Sequence, residues 1–390
     1  MNNVTTGGAI ARRALALRPF LVMEILERAK AMEAQGENII HMEIGEPDFQ
    51  TPDVVKEAAH EALRRDLTKY THSLGRPELR NAVAGSVARE YGVDVDPERI
   101  IVTTGTSAGM LLTFAALLDP DDEVIISDPG YPCYPGFINL VGGRTVAVRL
   151  REEAGWQPSP AEIGASIGPK TKAIVINSPA NPTGTVLTES TMAEIAALAA
   201  PGRLAISDEI YHGMVYEGRA HTILEFTENA LVINGFSKLH AMTGWRLGYL
   251  IVPSWLIRPI QKLQQNLFIS APTISQAAGL AALEKAGPEI DRMVALYNER
   301  RLWLVPALRK LGFGIAADPT GAFYVLVNAE HLSPDSYSLA LEILEKAKVA
   351  VTPGIDFGPG AEGHLRFSYA TSLENIKEGC RRLGEWLKTR

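Results

Sequence analysis

Residues 231–249 read LVINGFSKLHAMTGWRLGY. The apolar run 231–233 has the length and residue types of a buried strand. It breaks at the small-polar turn Asn234, Gly235, Phe236, Ser237, and delivers Lys238 at its end. A lysine there must reach water or do chemistry. In a desolvated pocket it loses proton affinity, and the neutral amine is a nucleophile for carbonyl carbons. Eight residues on, Arg246 follows Gly244 and Trp245; a guanidinium is a rigid fork for a phosphate. A nucleophilic lysine beside a phosphate-binding arginine is the donor set for a phosphorylated aldehyde cofactor, pyridoxal 5'-phosphate. A surface lysine near a helix start would look the same on this stretch alone, so the flanking chain has to decide.

Upstream, the same pattern of an apolar strand followed by small or polar residues recurs. Residues 99–104 read as a strand, then Gly105, Thr106, Ser107, Ala108 and Gly109 form a small-residue loop into an apolar helix expected over 110–118. Such a loop presents free backbone N–H groups and a helix dipole to an anion. It has neither the spacing of a P-loop nor that of a dinucleotide fingerprint. Strand 123–127 leads into Asp128, Pro129, Gly130 and Tyr131, an aromatic held rigidly enough to stack on a flat heterocycle. A further strand covers 144–150. Strand 173–177 leads to Asn181, whose position before Pro182 restricts it to extended backbone and aims its amide. Strand 204–207 ends in Asp208, a carboxylate that needs a partner if buried, with Tyr211 just beyond. Strand 248–252 follows the lysine segment. Apolar strands alternating with crossovers predict an α/β fold, a mostly parallel sheet between helices. The polar candidates fall at the carboxyl ends of strands, where such sheets bind ligands.

The flanks read differently. Residues 1–20 look like a flexible arm carrying Arg12, Arg13 and Arg18, and 21–35 have helical spacing. A strand over 38–44 ends in Gly45, Glu46 and Pro47, a turn that allows close backbone approach. Tyr70 sits in an irregular polar stretch, and a helix is expected over 78–91. Residues 255–310 are helical in pattern, with 291–310 a plausible connector. Strand-like 321–327, helix 335–346, and strand-like 349–351 and 364–369 make a smaller α+β unit, closed by an amphipathic helix. Within it Arg366 points to the opposite face from Leu365 and Phe367, facing either solvent or a substrate carboxylate.

The 390 residues carry 38 basic and 45 acidic side chains, net −7, which favours neither nucleic acid nor an anionic membrane. Two cysteines, Cys133 and Cys380, are too few for a disulfide framework or a cysteine metal site; no metal is expected. No apolar stretch has the length of a membrane span and no signal peptide is visible, so a cytoplasmic location is expected.

Taken together, GEPDF, KYT, TTGTSAG, DPGYPCY, NSPANPTG, SDEIY, GFSKLHAMTGWRLGY and LRFSYA stand in the order found in the class I/II aminotransferases of fold type I, the family of aspartate aminotransferase, which the chain resembles from about residue 15 to its end. The resemblance implies an amino acid:2-oxo acid aminotransferase working by a ping-pong mechanism. Lys238 would bond the cofactor aldehyde and then move protons, Asp208 would pair with the pyridine nitrogen, and Asn181 and Tyr211 would hold the phenolic oxygen. Tyr131 would stack on the ring. The backbone of Thr106, Ser107 and Ala108, with Ser237 and Arg246, would bind the phosphate. Tyr70 would reach in from a second subunit, making a homodimer with shared sites. Arg366, helped by the Gly45 backbone and Asn181, would take the substrate α-carboxylate. It further implies 1–14 as an N-terminal arm, 15–45 with 290–390 as a small α+β domain, and 46–289 as the large cofactor-binding domain. The acceptor would be 2-oxoglutarate or pyruvate. The substrate side chain stays open, aspartate-like or broader and apolar; Ser107 stands where an aspartate-specific bacterial subgroup carries a lysine, which weighs against aspartate specificity. Phe268 reads as part of an apolar substrate pocket. A carbon–sulfur β-lyase on the same fold is the alternative; a non-catalytic cofactor-binding regulator is a remote one, since the short N-terminus leaves no room for a DNA-binding module.

Overall fold

The computed structural model describes residues 10–17 and 19–390. Residues 1–9 and Arg18 lie outside them. Of the arm expected over 1–14 only 10–14 can be compared, and there Arg12–Leu15 form a helical turn.

Twelve strands are present among the described residues: β1 Ile40–His41, β2 Ile100–Thr103, β3 Glu123–Asp128, β4 Arg144–Arg149, β5 Thr171–Asn177, β6 Leu204–Asp208, β7 Ala230–Gly235, β8 Gly248–Ile251, β9 Tyr324–Asn328, β10 Val349–Ala350, β11 Thr352–Pro353 and β12 His364–Ser368. Seven of them form one sheet in the order β2-β8-β7-β6-β5-β3-β4. Only β8 runs against its neighbours; the pairs β7/β6, β6/β5, β5/β3 and β3/β4 are parallel.

The reason for a parallel sheet is visible along each strand. In β5, Ile174 and Ile176 pack into the core on one face with Val102, Val232 and Phe236. Ala173 and Val175 pack into the core on the other face with Phe114, Ile206, Leu231 and Ile233. Successive side chains point to opposite faces, so an unbroken apolar run has no face left for water. Helices must cover both sides. The six strands other than β8 therefore end together, and Thr103, Asp128, Asn177, Asp208 and Gly235 share one edge.

Beside this sheet lies a second unit. Strands β11, β12 and β9 form an antiparallel sheet and β1 pairs with β10 in parallel. Helices Leu21–Glu33, Ser336–Ala347 and Leu373–Lys388 surround them, with a core that includes Ile25, Phe323, Leu344, Phe367 and Trp386. The 24-residue helix Gly287–Lys310 buries Tyr297, Leu304, Val305 and Leu308 in that core, while Ile290 near its start packs on the large sheet's core.

Two local expectations are corrected. The helix after β2 begins at Gly105, not at 110, and ends at Leu117. The small residues are its first turn. The strand expected over 38–44 pairs only at Ile40 and His41. Beyond it Met42 N–H still donates to Ala350 O, but the Met42 carbonyl accepts from Ser368 N–H and the Glu43 carbonyl from Thr352 and Arg366 side chains. The segment leaves its ladder because other groups satisfy its backbone.

Candidate active site

At the shared strand edge a cavity of about 270 Å³ lies between the sheet and the smaller unit. Gly45, Thr106, Tyr131, Asn181, Asp208, Tyr211, Lys238 and Arg366 all line it, residues separated by up to 321 positions in sequence. Asn177, Tyr324, Phe20, Val22, Met23, Leu26, Ile44, Met110 and Ile210 complete the wall.

Lys238 stands one turn beyond β7, and its Nζ donates to the carbonyl of Gly45 at 2.5 Å. Burial pulls its ammonium down from 10.5 to about 8; Arg366 and Arg246 push the same way, against Glu46 and Asp208. At pH 7 roughly one amine in ten is then neutral, against roughly one in several thousand for an ordinary lysine.

Asp208 closes β6 and is buried. Its Oδ2 accepts from Tyr134 Oη at 2.7 Å and its Oδ1 from Ile210 N–H at 3.2 Å. Burial pushes the carboxyl up to about 6, while the Tyr134 hydroxyl, the Ile210 N–H and Lys238 hold it down. Next to it in register lies Asn177. The Asn177 amide donates to the Asp208 carbonyl at 2.9 Å, and its oxygen accepts from Asn181 N–H at 2.8 Å. Asn177 thereby fixes the turn that carries Asn181 to the neighbouring strand. Tyr131 meets Tyr134 edge-on, with centroids 5.2 Å apart.

From the smaller unit, β12 presents Arg366, which is 3% exposed. Its Nη1 donates to Asn181 Oδ1 at 2.9 Å; its Nη2 donates to the Glu43 carbonyl at 2.5 Å and Thr352 Oγ1 at 3.1 Å. Tyr324 and Phe357 rings flank the guanidinium at 4.3 and 4.9 Å. Its Nε is buried without a partner, a donor that costs stability until an acceptor arrives. Tyr211 Oη lies 2.9 Å from Tyr324 Oη, and burial drives the Tyr211 phenol well above its ordinary value.

Arg246 does not line the cavity. It sits over the start of helix Gly105–Leu117, with a Cβ on Gly105 reaching only 2.5 Å from its Nη2. Gly105 has φ +77°, so glycine is required there on both counts. Thr104 gives the helix no side-chain cap, leaving first-turn N–H groups at Thr106, Ser107 and Ala108 without that acceptor. Among the described residues no carboxylate forms an ion pair with Arg246. A cation held against the positive end of a helix is a fit for an anion. Ser237 is buried at the foot of the lysine turn.

Tyr70 is not brought in by its own chain; its side chain is 79% exposed. Phe268 packs with the core beneath helix Gly105–Leu117 and does not reach the cavity, which corrects its assignment to a substrate pocket. It caps the C-terminus of helix Ser254–Leu267 and is half-buried against that core. Tyr134, Asn177 and Tyr324 are the site residues the sequence reading missed. Tyr134 and Asn177 lie inside quoted motifs, but nothing local marks them as partners of Asp208 and Asn181.

Residues 37–383 match the profile of the family described as aminotransferase class I and II. The chain is 42% identical to the (5-formylfuran-3-yl)methyl phosphate transaminase of Methanocaldococcus jannaschii, over 97% of this chain and 99% of that protein. It is 38% identical to the valine–pyruvate aminotransferase of Mycobacterium tuberculosis, over 95% and 96%. The structure of Thermus thermophilus aspartate aminotransferase with maleate superposes with a TM-score of 0.92 at 39% identity, covering 96% of this chain and 99% of that one.

Proposed function

The chain belongs to the class I and II aminotransferases, and we propose that it exchanges an amino group between an amino acid and a 2-oxo acid with pyridoxal 5'-phosphate held in this cavity. The residues present fit that group. The uncapped start of helix Gly105–Leu117, with Ser237 and Arg246, takes the phosphate. Asp208 would pair with the ring nitrogen, Asn181 and Tyr211 would hold the phenolic oxygen, and Tyr131 would stack on the ring. When bound, the cofactor supplies an aldehyde carbon and an electron-withdrawing ring that acidifies the amino acid's Cα.

The side chains do the rest. Lys238 Nζ would hold the aldehyde carbon, with loss of water; freed by the incoming amine, it would accept the Cα proton as general base and hand it on as general acid. Its lowered proton affinity suits both tasks. Asp208, ionised in a water-poor setting, would keep the ring nitrogen protonated. Arg366 holds the α-carboxylate with the fork whose Nε lacks a partner, helped by the Gly45 backbone and Asn181. Two such half-reactions, donor then acceptor, make a ping-pong cycle. A second copy of the chain contributes Tyr70 to the phosphate, so the working unit is a homodimer. The observation that carries this reading is a buried amine of lowered proton affinity in one cavity with an inward carboxylate and a buried guanidinium.

The test is a half-reaction screen. Each amino acid is added to the cofactor-loaded protein, and the absorbance of the aldehyde form is followed as it converts to the amine form, with the 2-oxo acid quantified. Stoichiometric conversion without ammonia is expected. Release of pyruvate and ammonia from cystathionine without an added oxo acid would instead identify a β-lyase.

A further inference from the structure

Seven side chains in the cavity wall carry no polar group: Phe20, Val22, Met23 and Leu26 from the start of one helix, Ile44, Met110 and Ile210. Among the described residues the only cations lining the cavity are Lys238 and Arg366. Both are committed in the reading above, so a substrate's second carboxylate would meet no counter-charge in this chain's own lining.

The helix that brings four of these residues begins without a cap of its own. Phe20 occupies the N-cap position and offers no side-chain acceptor. The acceptor comes from 335 residues away. Asp356 Oδ1 accepts from Leu21 N–H at 2.9 Å and Oδ2 from Val22 N–H at 3.2 Å. Asp356 is therefore an N-cap supplied from another element.

Its turn, Gly354–Phe357, touches two further parts of the site. The Phe357 ring lies 4.9 Å from the Arg366 guanidinium carbon. The Phe357 carbonyl accepts from Gly130 N–H at 3.0 Å, one residue before Tyr131. One short turn thus holds the apolar wall, the guanidinium and the aromatic-bearing loop together.

We propose that the donor is an amino acid with a large apolar side chain, seated against Phe20, Val22, Met23 and Leu26, and that Asp356 is the positioning residue that holds this wall in register with Arg366. The inference rests on Arg366 taking the α-carboxylate. A charged side chain would exchange water for a wall without a partner and is rejected. Each methylene of an apolar one gains contact.

The experiment uses the cofactor-loaded, full-length protein and half-reaction kinetics with leucine, methionine, phenylalanine, alanine and aspartate. The expected result is a kcat/KM for leucine or methionine about tenfold above alanine and about 100-fold above aspartate. Asp356→Asn is expected to raise KM for leucine about tenfold, with a much smaller change for alanine, which does not reach the wall. A merely structural role would lower both alike, and that result overturns the assignment of Asp356. Should that variant fail to fold, Leu26→Ala decides: a preference shifted from leucine toward phenylalanine supports the wall, and an unshifted preference overturns it. Aspartate as the best donor overturns the inference while leaving the aminotransferase reading intact. Conversion by no amino acid overturns both.

Discussion

Replacing Tyr134 by phenylalanine removes one oxygen and leaves Oδ2 of Asp208 without the donor it holds at 2.7 Å. A hydrogen bond to a charged group contributes about 1.5–3 kcal/mol, and one pKa unit corresponds to about 1.4 kcal/mol. The carboxyl, pushed to about 6 by burial with the hydroxyl pulling against it, then rises by about one to two units. Its ionised fraction at pH 7 falls from about nine-tenths to between about one-half and one-tenth. Cofactor binding requires the ionised form, so the penalty exists below the variant's raised pKa and vanishes above it. The assay is a titration of wild type and Tyr134→Phe with pyridoxal phosphate from pH 6 to 9, followed by absorbance. The ratio of the two dissociation constants is expected to be about five- to fiftyfold at pH 6, about two- to tenfold at pH 7, and near one at pH 9. Titration of Lys238 affects both proteins alike and cancels in the ratio. A ratio that does not change with pH would refute the link between Tyr134 and the charge on Asp208.

Three further outcomes follow from contacts already described. Arg366→Ala removes the buried fork and is expected to cost about 2–5 kcal/mol in kcat/KM for amino acids, with a much smaller loss of cofactor affinity; half-reaction kinetics and cofactor titration separate the two. Gly45→Ala puts a methyl group onto the Tyr324 hydroxyl, an overpacking that costs about 1–3 kcal/mol, so activity should fall and the double variant with Tyr324→Phe should recover part of it. Glu209, buried with Oε1 accepting from Thr222 and Ile223, has its carboxyl pushed up to about 8 by burial. Because the folded state keeps that proton while the unfolded state loses it near 4.5, stability declines as pH rises from 4.5 to about 8. Glu209→Gln has no such proton, and its melting-temperature advantage over wild type should grow from pH 5 to pH 8.

Much of this site was legible because the sheet makes it so. A strand such as β6, buried along its whole length, shows in sequence as an apolar run, and the first polar residue after it marks the ligand edge. Asp208 was found by that signal, Lys238 by its place after the turn that ends its strand and Asn181 by the proline that follows it, and all three were given roles by resemblance. The reversed direction of β8 carried no such mark. Tyr134, Tyr324 and Asp356 were missed for a common reason: each acts on a residue remote in sequence. Tyr134 bonds Asp208 across 74 positions, Tyr324 meets Tyr211 across 113, and Asp356 caps a helix 335 positions away. Only the packing of the smaller unit against the sheet brings such pairs together. Phe268 failed differently. A side chain at a helix end can turn to core or cavity, and local pattern does not distinguish them.

The central claim is a reversible bond between one amine and an aldehyde. Loading the protein with pyridoxal phosphate, reducing with borohydride and mapping the peptides tests it directly. The account expects a single stable adduct on Lys238, formed faster as pH rises toward 8, and none in Lys238→Ala. An adduct on another lysine, or a Lys238→Ala protein with normal turnover, would contradict it.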